Sequence, residues 1–503
     1  MPHQSVRPIR YFVSCLAALV AVALLLAASA RAGVAPVPIP EGPESGSVPS
    51  FIGAPWKPKP VSAPSVPTHP FMAANGRSNL HDDAYMTDTY TGSGPLGKAM
   101  DRLSTFQGAE CASLTFDQAG RIVGICVGPE GPRLVMFDAR TLELLTEMPL
   151  PPRSGSGSGN PLTDFSGGGY FYLDNLDRAV VPTNTRHIWV VGETAGPLGP
   201  GFSLAHDYDV SSAVPIGDGV ISALPDWSGR IWFASVKGVV GTVDPATGTV
   251  RSVDLAEPIG NSFAVDETGG VYIVSDRALY RFDAGAGGTP AVTWRETYPN
   301  TGVKKPGQTE AGSGTTPTLM GSDYVSITDN ADPMDVVVFK RAKAVTGSRL
   351  VCVQPVFERG ASDTDQSLIG AGRSMVVENN YGYSGVAATE QGATTSPGIA
   401  RVDINDTGTG CRTVWTSSER APSVVPKLSL GNGLVYTYTK PPDPNGTDAW
   451  YFTAIDFRKG GTVYKKLAGT GLGFNNNYAP VTIGPDGSAY VGALGGLVRL
   501  FDR

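Results

Sequence analysis

The chain has 503 residues, of which 41% are hydrophobic and 17% are charged, and its formal net charge is −7. This length is sufficient for a large core, and the many glycines and prolines favour short strands and turns over long helices. An acidic chain without a basic run repels phosphate backbones, so the composition argues against nucleic acid as a partner.

Residues 1–32 predict an export signal. Arg7 and Arg10 precede an apolar run from Phe12 to Ala30, and the small residues of ASARAG follow. This order is typical of a signal peptide, and its loss, which includes Arg31, changes the formal charge from −7 to −10. An uncleaved anchor is the alternative, because the apolar run is nearly long enough to span a bilayer. We expect cleavage, a secreted or envelope-associated protein, and no later membrane span.

Residues 33–70 form the next segment, which is rich in proline and poor in apolar side chains. Such a composition is typical of stiff, extended chain that has little apolar surface to bury. We therefore predict a linker over 33–70 and a folded domain over 71–503.

The folded part predicts an all-β propeller, because one plan of apolar strand, Asp/Gly turn and aromatic strand recurs from Cys111 onward. Segments such as DWSGRIWFAS and DETGGVYIVS carry the turn between the first two strands. Eight units align by the end of their third strand, so we expect eight four-stranded blades, with seven as the alternative. The aligned positions are Asp138, Asp209, Asp244, Asp283, Lys340, Asp403, Asp456 and Asp502.

The last blade needs a strand from elsewhere, because the sequence stops after the third strand of unit eight. Propellers close their ring, so we expect a strand near the N-terminus to complete this blade. The alternating segment at about 85–90, Tyr85 to Tyr90, is the predicted closing strand. An irregular strap over one face is the alternative.

Four cysteines remain after the signal, and an exported chain permits disulfides. If Phe116 pairs with Arg121, then Cys111 lies opposite Cys126 on the neighbouring strand, a geometry that suits a bridge. Cys352 and Cys411 fall on the fourth strands of units five and six, where a bridge is less favoured because outer strands diverge. Free buried thiols are the alternative for both pairs.

Polar residues concentrate where the repeats predict the mouth of the central channel. This mouth is built by the loops between second and third strands and by the segments leading into first strands. Carboxylates and amides there suit Ca²⁺ or another divalent cation, and also a small polar, hydroxyl-rich molecule such as a saccharide. Turn formation is the alternative reason for so many Asp and Asn residues. The candidate ligand-binding residues are Asn261, Asp276, Asp329, Asn330, Glu378, Asn379, Asn380, Asn475, Asn476 and Asn477.

The histidines fall outside these predicted mouth loops. His81, in NLHDDAY, reaches a face only if the N-terminal strap folds over it. We therefore expect no histidine base in the channel. The sequence also lacks the GxSxG nucleophile motif, so the catalytic residues are unknown, with Asp276 and Asp329 as candidates.

The segments DWSGRIWFAS, DETGGVYIVS and GPDGSAYVG resemble propellers of the NHL, streptogramin lyase-like and gluconolactonase-like group, and VDPATGTV resembles quinoprotein repeats. The resemblance implies the fold. Metal-dependent lactonases of this group bind a divalent ion through Glu, Asn and Asp, and the resemblance implies Glu378, Asn380 and Asn261 for these positions. The channel histidine of the lyases and the repeat tryptophan and adjacent cysteines of quinoproteins have no counterpart here.

We expect a monomer that binds a small polar ligand at the channel mouth, with a divalent cation as a candidate cofactor. The proline-rich linker and the lack of a nucleophile favour a binding module. A metal-dependent hydrolase or lyase acting on a lactone is the alternative. A quinone-dependent dehydrogenase is a weaker alternative.

Overall fold

The computed structural model describes residues 36–43, 45–153, 162–197 and 199–503. The predicted signal peptide lies outside these residues. The described part contains 34 strands and three short 3-10 segments, at Ala286–Gly288, Val386–Thr389 and Leu472–Phe474. No helix within these ranges is long and apolar enough to cross a membrane.

Eight antiparallel sheets, each built around four strands, form the blades of a propeller, as predicted. Strands β1 (Phe51–Gly53), β2 (Thr89–Tyr90) and β3 (Asp101–Phe106) precede the first blade. Blades one to four follow in order. They contain Glu110–Phe116 (β4), Ile122–Gly128 (β5), Gly131–Phe137 (β6) and Leu144–Pro149 (β7); Tyr172–Leu173 (β8), Ala179–Pro182 (β9), His187–Gly196 (β10) and Gly199–Asp209 (β11); Val220–Pro225 (β12), Ile231–Ser235 (β13), Val239–Val243 (β14) and Val250–Asp254 (β15); and Ala264–Val265 (β16), Val271–Val274 (β17), Ala278–Ala284 (β18) and Pro290–Thr297 (β19).

Blades five to eight repeat this arrangement. They contain Thr318–Met320 (β20), Tyr324–Thr328 (β21), Asp335–Lys340 (β22) and Leu350–Pro355 (β23); Ile369–Ala371 (β24), Ser374–Glu378 (β25), Ile399–Ile404 (β26) and Cys411–Ser417 (β27); Lys427–Ser429 (β28), Leu434–Thr439 (β29), Ala449–Asp456 (β30) and Thr462–Thr470 (β31); and Val481–Ile483 (β32), Ala489–Ala493 (β33) and Gly496–Phe501 (β34).

The repeated Asp/Gly turns explain why the strands pair in this register. In blade three, one carboxylate oxygen of Asp226 accepts the backbone N–H groups of Ser228 and Arg230, which closes the turn between β12 and β13. Apolar and aromatic side chains of successive strands then pack between blades. Trp232 and Tyr272 are fully buried there, as their strand positions predict.

The third-strand alignment is correct in seven of the eight units and wrong in unit two. Asp209 ends β11, which is the fourth strand of blade two, and the third strand is β10. Unit two was aligned incorrectly because the outer hairpin of blade two is longer than that of the other units, which shifts the spacing of the repeat.

The ring is closed by an N-terminal strand, but the predicted position is wrong. Strand β3 pairs with β34 from Asp101–Phe501 to Phe106–Gly496 and completes blade eight. Residues 85–90 lie inside the channel instead, and β2 runs parallel to β28, the innermost strand of blade seven. The alternating side chains of residues 85–90 were therefore not sufficient to identify the closing strand.

The proline-rich segment packs on the propeller, so the prediction of an unpacked linker is wrong for its described residues. We call residues 36–70 the belt. Its Ile39 is 2% exposed within the core of blades seven and eight. Strand β1 pairs with β31 as an added outer strand of blade seven. A few apolar side chains anchor an otherwise polar, extended segment.

The belt then crosses the face that carries the turns between first and second strands, which we call the turn face. The N–H of Lys59 donates to the carbonyl of Asn432 in blade seven. Pro64 lies against the turns of blades five and six at Gly321 and Gly372. The ring of His69 lies 4.0 Å from that of Trp227 in blade three.

Residues 72–90, which we call the channel segment, enter the ring from the turn face. The backbone of this segment bonds to the innermost strand, or the segment leading into it, in several blades. Its carbonyls at Ala84, Tyr85, Thr87 and Asp88 accept N–H groups from blades four, five, six and seven in turn. The chain therefore fills its own channel.

The predicted Cys111–Cys126 disulfide is present, and so is the Cys352–Cys411 bridge that the sequence favoured less. Cys111–Cys126 joins β4 to β5 with a Cα–Cα distance of 3.9 Å. The strand register differs from the predicted one, because Phe116 pairs with Ile122 and a bulge between 110 and 113 restores the opposition of the cysteines. Cys352–Cys411 joins the outer strands of blades five and six.

Candidate functional site

A pocket opens on the face opposite the turn face, which we call the mouth face. This mouth pocket contains about 710 Å³ of unfilled space, part of it open to solvent. Its walls come from the segments leading into the first strands of blades one, two, six, seven and eight, and its floor comes from the channel segment. The polar and aromatic lining residues are His81, Glu110, Ser113, Arg153, Asp164, Phe165, Tyr170, Asp365, Gln366, Ser367, Asn477 and Tyr478.

The floor of the mouth pocket is held by a buried ionic cluster. Nδ1 of His81 lies 3.1 Å from both carboxylate oxygens of Asp88. The Lys427 ammonium lies 2.5 Å from Asp88 Oδ1 and 3.4 Å from Asp82 Oδ2. Burial alone would lower the pKa of Lys427, but the two aspartates raise it above its usual value. The charges of this cluster therefore fix the channel segment to blade seven.

His81 is the member of this cluster that lines the mouth pocket. Its side chain is 2% exposed, and Nε2 has no hydrogen-bond partner among the described residues. The ring lies nearly parallel to that of Tyr170, with 6.3 Å between centroids. The hydrogen bond to Asp88 selects the tautomer that carries the proton on Nδ1, which leaves Nε2 as an acceptor.

Glu110, at the start of β4, forms one wall. Its Oε2 accepts a 3.0 Å hydrogen bond from Nδ2 of Asn477. Burial raises the pKa of Glu110 to about 8, although Asn477 and Arg153 lower it in part. Arg153 donates to the backbone oxygen of Asp164 at 2.5 Å, and burial lowers its pKa. At neutral pH Glu110 is therefore largely protonated when the pocket holds no counter-charge.

Asp365, in the segment leading into blade six, lies on another wall. One of its oxygens accepts the backbone N–H of Thr309 at 2.8 Å and the hydroxyl of the same residue at 2.6 Å. Burial raises the pKa of Asp365 to about 7, against the lowering effect of these bonds. Both donors are neutral, so the charge of Asp365 is solvated only by dipoles.

Aromatic rings complete the mouth pocket. Phe165 and Tyr478 meet edge to face at 4.9 Å, and Tyr478 meets Tyr383 in the same way at 5.4 Å. The hydroxyl of Tyr170 donates to Oδ1 of Asn261 at 3.1 Å. These rings offer flat apolar surface beside the carboxyl groups.

The asparagines of the predicted site mostly brace loops. Asn379 and Asn380 bond through both ends of their amides to neighbouring backbone or Thr364. Asn475 bonds to Thr389, and Nδ2 of Asn476 donates to backbone carbonyls. Asn477 differs, because it lines the mouth pocket and holds Glu110.

The amide of Asn330 likewise donates to the loop oxygens of Asn300 and Val303. Asn261 stands one layer behind the pocket, where it orients Tyr170.

The predicted acids lie at separate places. Asp276 is partly exposed beside Arg277, at 3.7 Å. Asp329 accepts two backbone N–H groups, and burial, with the Asp335 carboxyl adding to it, raises its pKa to about 8. Glu378 is buried and accepts the hydroxyl of Thr437, with a pKa raised by burial.

The three residues implied as metal ligands have no shared partner. Glu378 bonds to blade seven, Asn380 to its own loop, and Asn261 to Tyr170 and Ser313. Across the described ranges, no group of three or more His, Cys, Asp or Glu side chains is placed to hold a metal ion. The cation remains a prediction.

The sequence did not predict Glu110 or Arg153 in the pocket, the pairing of Asp365 with Thr309, or the position of His81. Glu110 could have been predicted, because in unit one it occupies the position from which other mouth residues were chosen. The position of His81 could not, because it depends on the path of the channel segment.

No family model matches the chain. An uncharacterized protein of Archaeoglobus fulgidus is 30% identical over 318 residues, which cover 56% of this chain and 61% of that relative. The structure is similar to BamB from Moraxella catarrhalis, with a TM-score of 0.43, 11% identity, and coverage of 80% of this chain and 96% of BamB. It is similar to streptogramin B lyase with a TM-score of 0.40, 11% identity and the same coverage. The eight four-stranded blades themselves identify the chain as a β-propeller.

Proposed function

We propose that the protein is exported and binds a small polar organic molecule in the mouth pocket. The observation that carries this proposal is the convergence of charged, amide and aromatic side chains from four blades over a floor made by the channel segment. Since that segment fills the ring, a ligand reaches the pocket from the mouth face.

The chemistry of the pocket supports binding of a small molecule. Ligand sites usually combine apolar surface with a few placed polar groups. Two buried nitrogens that line the pocket, Nε2 of His81 and Nε2 of Gln366, have no hydrogen-bond partner among the described residues. Buried polar groups are normally paired, so a ligand that bonds to them gains affinity.

Export is supported by the two disulfides, because such bonds persist in oxidising compartments. The signal-like sequence at 1–32 points the same way. Fractionation of the native host, with an antibody to residues 71–503, tests this part: recovery of the processed chain in the cytoplasm would contradict it.

A ligand-observed NMR screen tests the binding proposal. The compounds are saccharides, lactones, amino alcohols, amines and small acids, each measured against the mature protein and against Ala112→Trp. Ala112 lines the pocket, and the larger side chain fills it. We expect at least one class to bind the natural protein and to lose binding in Ala112→Trp. Compounds that bind both equally would place the site elsewhere.

Hydrolase or lyase activity is the second candidate, favoured by the His81–Asp88 pair. An imidazole held at Nδ1 by a carboxylate is suited to proton transfer at Nε2. Hydrolysis of dihydrocoumarin, with and without Ca²⁺, Mg²⁺ or Mn²⁺ after chelation, tests it. We expect any activity to disappear in His81→Gln. Activity that survives this substitution, or a hydrolysis rate no higher than that in buffer alone, rejects the candidate. Elemental analysis of the same sample tests whether a divalent cation is bound.

A further inference from the structure

We propose that the ligand of the mouth pocket is an organic cation, namely a primary amine or guanidinium that also carries a hydroxyl or carbonyl group. This inference rests on the proposed binding function and specifies its ligand class. The argument combines the charges that line the pocket, the aromatic rings beside them, and two buried nitrogens.

Acidic side chains outnumber basic ones on the described lining of the pocket. Glu110, Asp164 and Asp365 contribute three carboxyl groups, and Arg153 is the one lysine or arginine among those lining residues. Burial lowers the pKa of Arg153, and the carboxyl groups of Asp164 and Glu110 oppose this lowering. Asp365 is left without a cationic neighbour on the pocket wall.

The hydrogen-bond donors to two of these carboxyl groups are neutral. Glu110 accepts from a neutral amide, and Asp365 accepts from the neutral N–H and hydroxyl of Thr309. Burial of a carboxylate favours its protonated form, which is the direction of the pKa shift for both groups, although Arg153 opposes the shift of Glu110 in part. An ammonium or guanidinium group supplies the missing charge and donates charge-assisted hydrogen bonds, which are stronger than neutral ones.

The rings of the pocket suit the same kind of ligand. Cations within about 6 Å of the face of an aromatic ring are attracted by its electrons. Phe165, Tyr170 and Tyr478 line the pocket together with the carboxyl groups. An anionic ligand would meet both the rings and the excess of carboxyl groups unfavourably.

The two unpartnered nitrogens define the rest of the ligand. His81 is 2% exposed, and its Nε2 is an acceptor that suits an N–H or O–H donor. Gln366 is 3% exposed, and its amide nitrogen is a donor that suits a hydroxyl or carbonyl oxygen. A ligand with a cationic nitrogen and a separate oxygen satisfies both.

Three probes with one carbon chain test the inference: 5-aminopentan-1-ol, pentane-1,5-diol and 5-hydroxypentanoate. They differ only in whether one end is cationic, neutral or anionic. We expect the amine to bind to the mature protein at least roughly 10-fold more tightly than the other two, as measured by isothermal titration calorimetry. Equal or tighter binding of the diol or the acid overturns the cation inference. If that binding is lost in Ala112→Trp, the proposed binding function survives. If none of the probes binds, the inference fails, and the broader screen still decides the proposed function.

Charge-neutral variants locate the interaction. We expect Glu110→Gln and Asp365→Asn each to weaken amine binding by roughly 10-fold, while both substitutions retain the hydrogen-bond acceptors. Glu130→Gln is the matched control, because Glu130 is exposed on the same face of blade one outside the pocket. Equal effects of all three substitutions would mean that only the overall charge attracts the amine, and would overturn the inference.

The pH dependence gives an independent readout. The amine stays protonated up to about pH 10, whereas Glu110 and Asp365 ionise as the pH rises through about 8 and about 7. We therefore expect amine affinity to increase between about pH 6 and 9, with release of protons on binding. An affinity that falls or stays level over this range contradicts the inference.

Discussion

On the turn face, the belt lies across the turns of blades three, five, six and seven, and the backbone N–H groups of Lys59 and Val61 donate to carbonyls of blade seven. On the mouth face, the connections between blades leave the pocket open, and carboxyl groups and aromatic rings line it. One continuous stretch of chain produces both results, because residues 56–70 cover the turn face and residues 72–90 make the floor of the pocket. The N-terminal segment therefore determines which face is available to a ligand.

Deletion of the belt is expected to have the largest effect on stability. Removing 36–70 exposes the surface that Ile39 covers and unpairs β1, and each fully buried apolar side chain contributes roughly 1.5–3 kcal/mol. We expect the free energy of unfolding, measured in urea, to fall by about 5 kcal/mol. Ile39→Ala alone should cost about 2–4 kcal/mol. An unchanged urea midpoint after the deletion would mean that the segment is a loose linker after all.

Lys427→Met tests the buried ionic cluster of Lys427, Asp82 and Asp88 beneath the mouth pocket. It leaves Asp82 and Asp88 buried without their cation, and breaking a buried ion pair in this way costs about 3–5 kcal/mol. Lys59→Met is the control, because the Lys59 side chain is 45% exposed and its ammonium lies 3.7 Å from the Asp456 carboxylate. Urea unfolding of the two variants should differ clearly. Similar small losses would show that the channel segment does not depend on its charges.

Removal of each disulfide is expected to lower stability, but only one removal is expected to weaken ligand binding. Cys111 and Cys126 are 15 residues apart, and Cys352 and Cys411 are 59 apart. Loop-closure entropy predicts losses of about 3 and about 4 kcal/mol for the paired alanine variants. Only the Cys111/Cys126 variant should also weaken binding in the mouth pocket, because Glu110 and Ala112 flank Cys111. Calorimetry with 5-aminopentan-1-ol checks this, and equal binding losses in both variants would contradict it.

Glu110→Gln tests the electrostatics of the mouth face by pH. The pKa of Glu110 is raised to about 8 in the fold, so its contribution to stability is present below about pH 4 and is lost as the pH rises through about 8. We expect the variant to gain about 1 kcal/mol over the natural protein between pH 5 and pH 9, since partial exposure reduces the effect. Thermal unfolding at both pH values measures it. A gain of the same size in Glu130→Gln would assign the effect to net charge.

The repeat pattern was sufficient to predict the blades, but it did not predict the positions of the belt and the channel segment. Strands such as β13 and β17 follow from apolar runs beside Asp/Gly turns, which are local features. The belt and the channel segment are stabilised by contacts with chain hundreds of residues away, for example Lys427 with Asp88. Such contacts leave no periodic signal, so composition suggested a linker where the structure has a packed segment.

Among the described lining residues of the mouth pocket, Asn477 is the one that the sequence predicted as ligand-binding. Runs of Asn at 379–380 and 475–477 exceed what one turn needs, and the excess serves to brace neighbouring loops. Asn477 is the exception, because it also reaches Glu110. Whether an amide faces a loop or a pocket depends on packing between blades, which a repeat alignment does not contain.

Hydrogen–deuterium exchange of the mature protein, with and without the tightest-binding compound of the NMR screen, tests most directly the claim that ligands bind on the mouth face. The account predicts slower exchange in peptides that contain Glu110, Tyr170, Asp365 and Tyr478, and unchanged exchange in residues 56–71 on the turn face. Protection confined to residues 56–71, with none around the mouth pocket, would contradict it.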